Sequence, residues 1–215
     1  MFRYPVDDDI SLALLTLKDT EALYAITDTS RDHLREWLPW VDAAQSPDVT
    51  ATFIAAGLKQ WADNRGFQAG IWHRGSLVGC IGLHGIDWSN RFTAMGYWLS
   101  RRHQGQGIMT RSVKGALDFV FYEYDLNRVE IRAALGNIKS RAIPERLGFI
   151  HERTVRQAEW IHDHYVDHAL YGLLREEWHQ PGEDHSTSQE TSFLVGEVKT
   201  PIDRNPRPRN IGGRF

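Results

Sequence analysis

Residues 102–111, Arg102-His103-Gln104-Gly105-Gln106-Gly107-Ile108-Met109-Thr110-Arg111, constrain the fold more tightly than any other stretch of the chain. The run before them, Phe92 to Leu99, has the length of a strand. The run after them, Ile108 to Tyr124, repeats Val113, Ala116, Leu117, Val120 and Phe121 at helical spacing. The glycines therefore occupy a strand-to-helix junction. A helix start leaves several backbone N–H groups unpartnered and carries the positive end of the helix dipole. Glycine lets an anion approach that backbone with no Cβ in the way. Arg101, Arg102 and Arg111 add positive charge around the same point. Together these features suit a pyrophosphate, although a turn that needs glycine for steric reasons alone has the same composition.

Two other phosphate loops do not fit. A dinucleotide fingerprint wants a third glycine where Thr110 stands and a parallel sheet around it. Here Phe67–Trp72, Leu77–His84 and Phe92–Leu99 follow one another through short turns, which predicts an antiparallel meander. A Walker-type loop fails because no Gly-Lys-Ser/Thr follows.

The rest of the chain completes a mixed α/β (α+β) pattern. A first strand is predicted within residues 10–17, then a helix carrying Ala22, Leu23 and Ile26, capped by Thr16 or Asp19. A short helix over 33–38 stops at Pro39, and Ser46-Pro47 marks the start of a longer one. That longer helix places Phe53, Ile54, Gly57, Leu58 and Trp61 on one face. Beyond the junction come a strand at 128–134, a helix at 139–147, and strands at 149–155 and 165–173. From Pro181 the composition turns polar and proline-broken. The sequence thus divides into a domain at 1–180 and a tail at 181–215.

Composition narrows the classes further. A net charge of −3 gives no support for nucleic-acid binding over the whole chain. The tail is the exception, with Lys199, Arg204, Arg207, Arg209 and Arg214 against Asp203; it suits an acidic partner such as ribosomal RNA, or a solubilising tail. A lone cysteine, Cys80, excludes an intrachain disulfide and fits a buried structural thiol in a reducing compartment. No apolar run reaches membrane-spanning length and the N-terminus has no signal-peptide core, so a cytoplasmic protein is expected. The aspartates Asp7-Asp8-Asp9 read as a solvated terminus. His162-Asp163-His164 with His168 invites a metal reading, but no third close ligand is evident and none is assigned.

Arg102-x-x-Gly105-x-Gly107 resembles the Gln/Arg-x-x-Gly-x-Gly/Ala motif of the GCN5-related N-acetyltransferase (GNAT) superfamily. Gly96-Tyr97-Trp98-Leu99 is similar to that family's bulged, pantetheine-pairing strand. His33-Leu34-Arg35-Glu36-Trp37-Leu38-Pro39-Trp40, Asn127-Arg128-Val129-Glu130-Ile131, Asn137-x-x-Ser140 and Pro144-Glu145-Arg146-Leu147-Gly148-Phe149 resemble its ribosomal-protein-serine (Rim-type) branch. The resemblance covers about residues 10–178. It implies a GNAT fold, a central, mostly antiparallel, splayed sheet flanked by helices, with acetyl-CoA as cosubstrate in the splay. It also implies amide contacts from Gly105, Gln106, Gly107 and Ile108 to phosphate, with Arg102 and Gln104 in the same loop. Trp98 and Leu99 would meet pantetheine, and Asn137 the cofactor, although Asn137 also fits a helix cap.

The resemblance further implies an acyltransferase that acetylates a primary amine by direct attack in a ternary complex. The usual tyrosine acid, four residues before the Gly-Phe pair, is replaced by Pro144. Ser140 occupies the place where the Rim-type branch has a thiolate-stabilising serine; a helix N-cap is the other role for it. Glu159, in Gln157-Ala158-Glu159-Trp160, matches the branch's base working through water, or is a solvated glutamate in a polar loop. His84, at a strand end, is the second base candidate, or a merely hydrogen-bonded histidine. The acceptor expected first is the N-terminal α-amine of a protein such as a ribosomal protein, which an open groove between the 33–40 region and a 157–165 loop would favour, as an acidic pocket would favour a polyamine. The alternatives are a small amine (polyamine, amino acid or antibiotic) and a non-catalytic acyl-CoA-binding module. Oligomeric state stays open, relatives in the family often being homodimers.

Overall fold

The computed structural model describes residues 2–178. The 181–215 tail and its basic cluster lie outside the described residues. Among these, eight strands form one sheet: β1 (Arg3–Pro5), β2 (Ile10–Leu14), β3 (Gln68–His73), β4 (Ser76–Asp87), β5 (Phe92–Leu99), β6 (Arg128–Ala134), β7 (Ile150–Ile161) and β8 (His164–Leu174). Their spatial order is β1-β2-β3-β4-β5-β6-β8-β7. Every neighbouring pair is antiparallel except β5 and β6, which run parallel because the α-helical crossover after the glycine loop lies between them.

Helices cover both faces. α1 (Thr20–Asp28), α2 (Arg31–Arg35) and α3 (Pro47–Ala62) precede β3, while α4 (Ile108–Asp118) and α5 (Ile138–Arg146) flank β6 in sequence. α3 starts as predicted, with Pro47 in its first turn and Ser46 Oγ accepting from the Val49 amide. α1 and α3 bury Leu23 and Ile54 with Leu15, Leu77 and Cys80. On the other side α4 packs Ile108, Met109, Val113, Ala116 and Leu117 against Val78, Ile81, Leu83 and Met95. The helical run ends in one wider π turn, Phe119–Glu123, rather than continuing as α-helix to Tyr124.

Three expectations change. Phe53 does not join the buried face of α3: it is 41% exposed, because it lines an open cleft instead of packing on the sheet. Glu159 belongs to β7 and not to a loop; β7 runs six residues beyond the 149–155 strand read from sequence, with a register shift between Val155 and Glu159. Asp7 is more than a solvated terminus. It accepts from the Asp9 and Ile10 amides and pairs with Arg111 at 2.8 Å. Partial burial works against its charge, but those donors hold its carboxyl below the usual range. No helix among the described residues is long and apolar enough to cross a membrane.

Candidate active site

The parallel pair comes apart halfway. β5 and β6 pair only over Phe92–Met95 and Arg128–Ile131. Past that point β5 stays with β4 as far as Leu99, and β6 stays with β8 as far as Ala134. The sheet therefore forks, and a cleft of about 1740 Å³ opens through the fork. Among the described residues, the strand edge from Gly96 to Leu99 that faces the fork has no strand partner. Tyr97 bridges the gap: its hydroxyl donates to the Ser140 carbonyl at 3.1 Å, and burial pushes its pKa up. The expected splay is thus present, but Gly96–Leu99 keeps a regular register against Gly82–Gly79. The bulge lies in β4, between Leu83 and Ile86.

The glycine loop forms one end of the cleft. Gly105 and Gly107 have left-handed φ values of 73° and 71°, which only glycine adopts without strain. A Cβ at either would meet no protein atom within 4 Å, so the space above them is free. The first bond of the α4 turn runs from the Arg111 N–H to the Gly107 carbonyl at 3.1 Å. The amides from Gly105 to Thr110 accordingly have no helical acceptor. Gln104, Gly105, Gly107 and Ile108 line the cleft with Arg101 and Arg111, whereas Arg102 and Gln106 do not, Gln106 Nε2 donating instead to the Arg102 carbonyl at 3.0 Å. Gln104 meets His33 Nε2 at 2.5 Å, and the Arg101 amide donates to Ser30 Oγ at 3.2 Å, so α2 is pinned to the loop. An anion with several acceptor oxygens fits this cradle of free amides and arginines.

On the opposite arm, Asn137 is the N-cap of α5, its side-chain oxygen accepting from the Ser140 amide at 3.1 Å. Ser140 is therefore not the cap. Both line the cleft, as do Trp98 and Leu99.

The far end of the cleft is aromatic and polar. Trp40 and Trp98 stand 6.0 Å apart, with Phe53 beside them on α3. His84 lies across the backbone of Gly96, in the cleft, where it stays open to solvent but desolvation by the walls pushes its pKa down. Glu159 lines the cleft with His168, Oε2 to Nε2 at 3.1 Å. The other histidines of the suspected metal cluster point elsewhere. His162 bonds the Arg35 carbonyl at 2.7 Å and faces Asp42 at 3.3 Å, and His164 bonds its neighbour Asp163. His162 thereby bridges the outer end of the groove expected between the 33–40 and 157–165 regions.

A family model described as the acetyltransferase (GNAT) domain matches residues 9–150. The chain belongs to the GNAT acetyltransferase family. It is 38% identical over 179 residues to YdaF of Bacillus subtilis (strain 168), covering 83% of this chain and 98% of that protein. It is 26% identical over 169 residues to the ribosomal-protein-serine acetyltransferase of Escherichia coli (strain K12), covering 79% of this chain and 94% of that protein. Among solved structures, RimL, a ribosomal L7/L12 α-N-protein acetyltransferase in complex with coenzyme A, superposes with a TM-score of 0.78 at 23% identity, over 80% of this chain and 98% of that one. As a GNAT protein the chain is an N-acetyltransferase.

Sequence reasoning passed over Gln68 of the cleft wall, and it gave Phe53 and His168 other roles, a buried helix face and a metal reading. Gln68 carried no local signal. The one available was indirect, the glycines Gly82 and Gly96, which leave room for a side chain from elsewhere.

Proposed function

We propose that this GNAT enzyme transfers the acetyl group of acetyl-CoA to the N-terminal α-amine of a protein, such as a ribosomal protein, in a ternary complex. The observation that carries it is a single cleft with an anion cradle at one end and a carboxylate–imidazole pair at the other. Acetyl-CoA supplies the activated thioester. Amides from Gly105 to Ile108, with Arg101 and Arg111, hold its phosphates, and the free edge at Trp98 and Leu99 receives the pantetheine arm. Asn137 caps α5 so that Ser140 faces the cleft.

Attack requires a neutral amine. Glu159 takes the amine's proton through a water while the C–N bond forms and the C–S bond breaks. The Ser140 hydroxyl donates to the departing thiolate, the work done by a tyrosine in relatives where this chain has Pro144.

The charge of the cleft supports a peptide over a polyamine. Its lining carries Glu36 and Glu159 against Arg101, Arg111, Arg132, Lys139 and Arg146, a balance that repels a polycation. The name of the E. coli relative, a ribosomal-protein-serine acetyltransferase, agrees with a protein acceptor. The test is incubation with acetyl-CoA and a panel of Ser- and Ala-starting peptides and polyamines, read by thiol release. Peptide turnover is expected; turnover of polyamines alone would overturn the acceptor assignment.

A further inference from the structure

We infer that the side-chain oxygen of Gln68 is a binding site for the N–H of the acceptor amine, its direction set by Gln60. The inference rests on the acetyl-transfer reading above and names a contact that reading does not use.

One hydrogen-bond chain sets the orientation of both amides. Gln60, on α3, places its Nε2 2.6 Å from the Leu83 carbonyl and 3.2 Å from the Arg65 carbonyl. Backbone carbonyls only accept, so the Gln60 atom facing them must be the NH₂ group. Its other atom, Oε1, is then an acceptor, and the Gln68 atom that meets it at 3.2 Å must be Nε2. That leaves Gln68 Oε1 pointing away from the chain. It has no hydrogen-bond partner among the described residues.

Two features fix the arrangement. The Leu83 carbonyl is at the start of the β4 bulge, where it is available to a side chain. Gly66, at φ 121°, leaves space that a Cβ would close, since such a carbon would lie 2.6 Å from Gln60 Nε2 and 2.8 Å from the Leu83 oxygen.

Gln68 Oε1 lies over Gly82, 2.1 Å from where a Cβ would be, and His84 Nε2 lies at the same distance over Gly96. Gly82 and Gly96 are direct cross-strand partners, and all four residues line the cleft. The two side chains thus lie side by side on a floor of two glycines, near the mouth of the fork. An amine that attacks must keep its lone pair toward the thioester, so its N–H groups need acceptors on the other side. A carbonyl oxygen with a fixed direction provides one. A Gln68 turned the other way would present NH₂ to the amine and repel it.

Two substitutions at Gln60 separate polarity from packing. Gln60→Glu still accepts from Gln68 Nε2, so Gln68 keeps its direction; the Michaelis constant for the acceptor is expected to stay near the wild-type value even if melting drops. Gln60→Lys only donates, so Gln68 must turn its oxygen toward it; the acceptor Michaelis constant is expected to rise about tenfold, the size of one hydrogen bond with an unpaired partner. Gln68→Leu is expected to match Gln60→Lys, with acetyl-CoA affinity by calorimetry unchanged in all three. The acceptor is whichever amine of the panel the wild-type protein acetylates. Equal shifts in Gln60→Glu and Gln60→Lys, or an unaltered constant in Gln68→Leu, overturn the inference alone. Turnover of no amine by the wild type overturns the acetyl-transfer reading beneath it.

Discussion

Replacing Gly107 by glutamate separates the cost of folding from the cost of binding. Gly107 is held at φ 71° and ψ 0°, so any side chain there carries the left-handed penalty, about 1 kcal/mol. For a domain of this size that lowers the melting temperature by about 2–4 °C. No packing penalty is added, because the new Cβ would have no protein atom within 4 Å. The glutamate carboxylate at the start of α4 would even offset part of the loss, by about 0.5 kcal/mol. Binding responds differently. The side chain fills the space in front of the free amides, and its charge opposes a phosphate. Losing two charge-assisted bonds removes roughly 3 kcal/mol or more, a factor of about a hundred in affinity. Calorimetric titration with acetyl-CoA, run beside a thermal melt, reads both. The expected result is a melt within a few degrees of wild type and no measurable heat, with Gly107→Ala between the two. Wild-type-like affinity in Gly107→Glu would refute the placement of the pyrophosphate, and a collapsed melt would refute the claim that the space is free.

Other perturbations probe the two arms of the fork. Tyr97→Phe removes the hydroxyl that donates to the Ser140 carbonyl and leaves that acceptor unpaired, so a loss of about 1 kcal/mol in chemical denaturation is expected, together with a slower turnover. Glu159→Gln is expected to lower turnover by about a hundredfold or more with acetyl-CoA affinity unchanged, measured by thiol release and calorimetry; full activity would remove Glu159 as the base. Burial lowers the pKa of His84, and burial first, then neighbouring cations, lowers those of His33 and His103. Each is below its ordinary value of 6.5 in the fold, so the unfolded chain binds more protons in that range. Their contribution is complete above pH about 6.5 and is lost as pH falls toward the folded values. Melting temperature should therefore drop between pH 7.5 and 5.5, and less so in His84→Asn; a flat or rising profile would contradict the burial argument.

The strands that build the fork were legible residue by residue. Phe92–Leu99 and Arg128–Ala134 have the bounds their apolar runs predict, because both are central strands with apolar side chains packed against helices. β7 was not: as an edge strand it is exposed along most of its length, so Arg153, Arg156 and Glu159 gave no alternation and its second half resembled a loop. Gln157, at φ 48°, adds a local irregularity that breaks the period further. The three residues of β1 are too few for any pattern. Within the site, the glycine loop could be read because its conformation is set by local backbone geometry. The pairing of Glu159 with His168, and of Gln68 with Gln60, depends on which strands and helices become neighbours, information that no window of sequence contains.

The fork has one further consequence. Each prong remains zipped to its own outer neighbour, β5 to β4 and β6 to β8, so the parting of the sheet needs no guest to hold it open. In the proposed placement, a donor that lies along the bare prong finishes a sheet instead of reorganising one. Ligand then adds to stability only by mass action, leaving the cooperative unit unchanged. Substitutions along the bare edge should accordingly change how tightly the enzyme holds its donor far more than whether the chain folds.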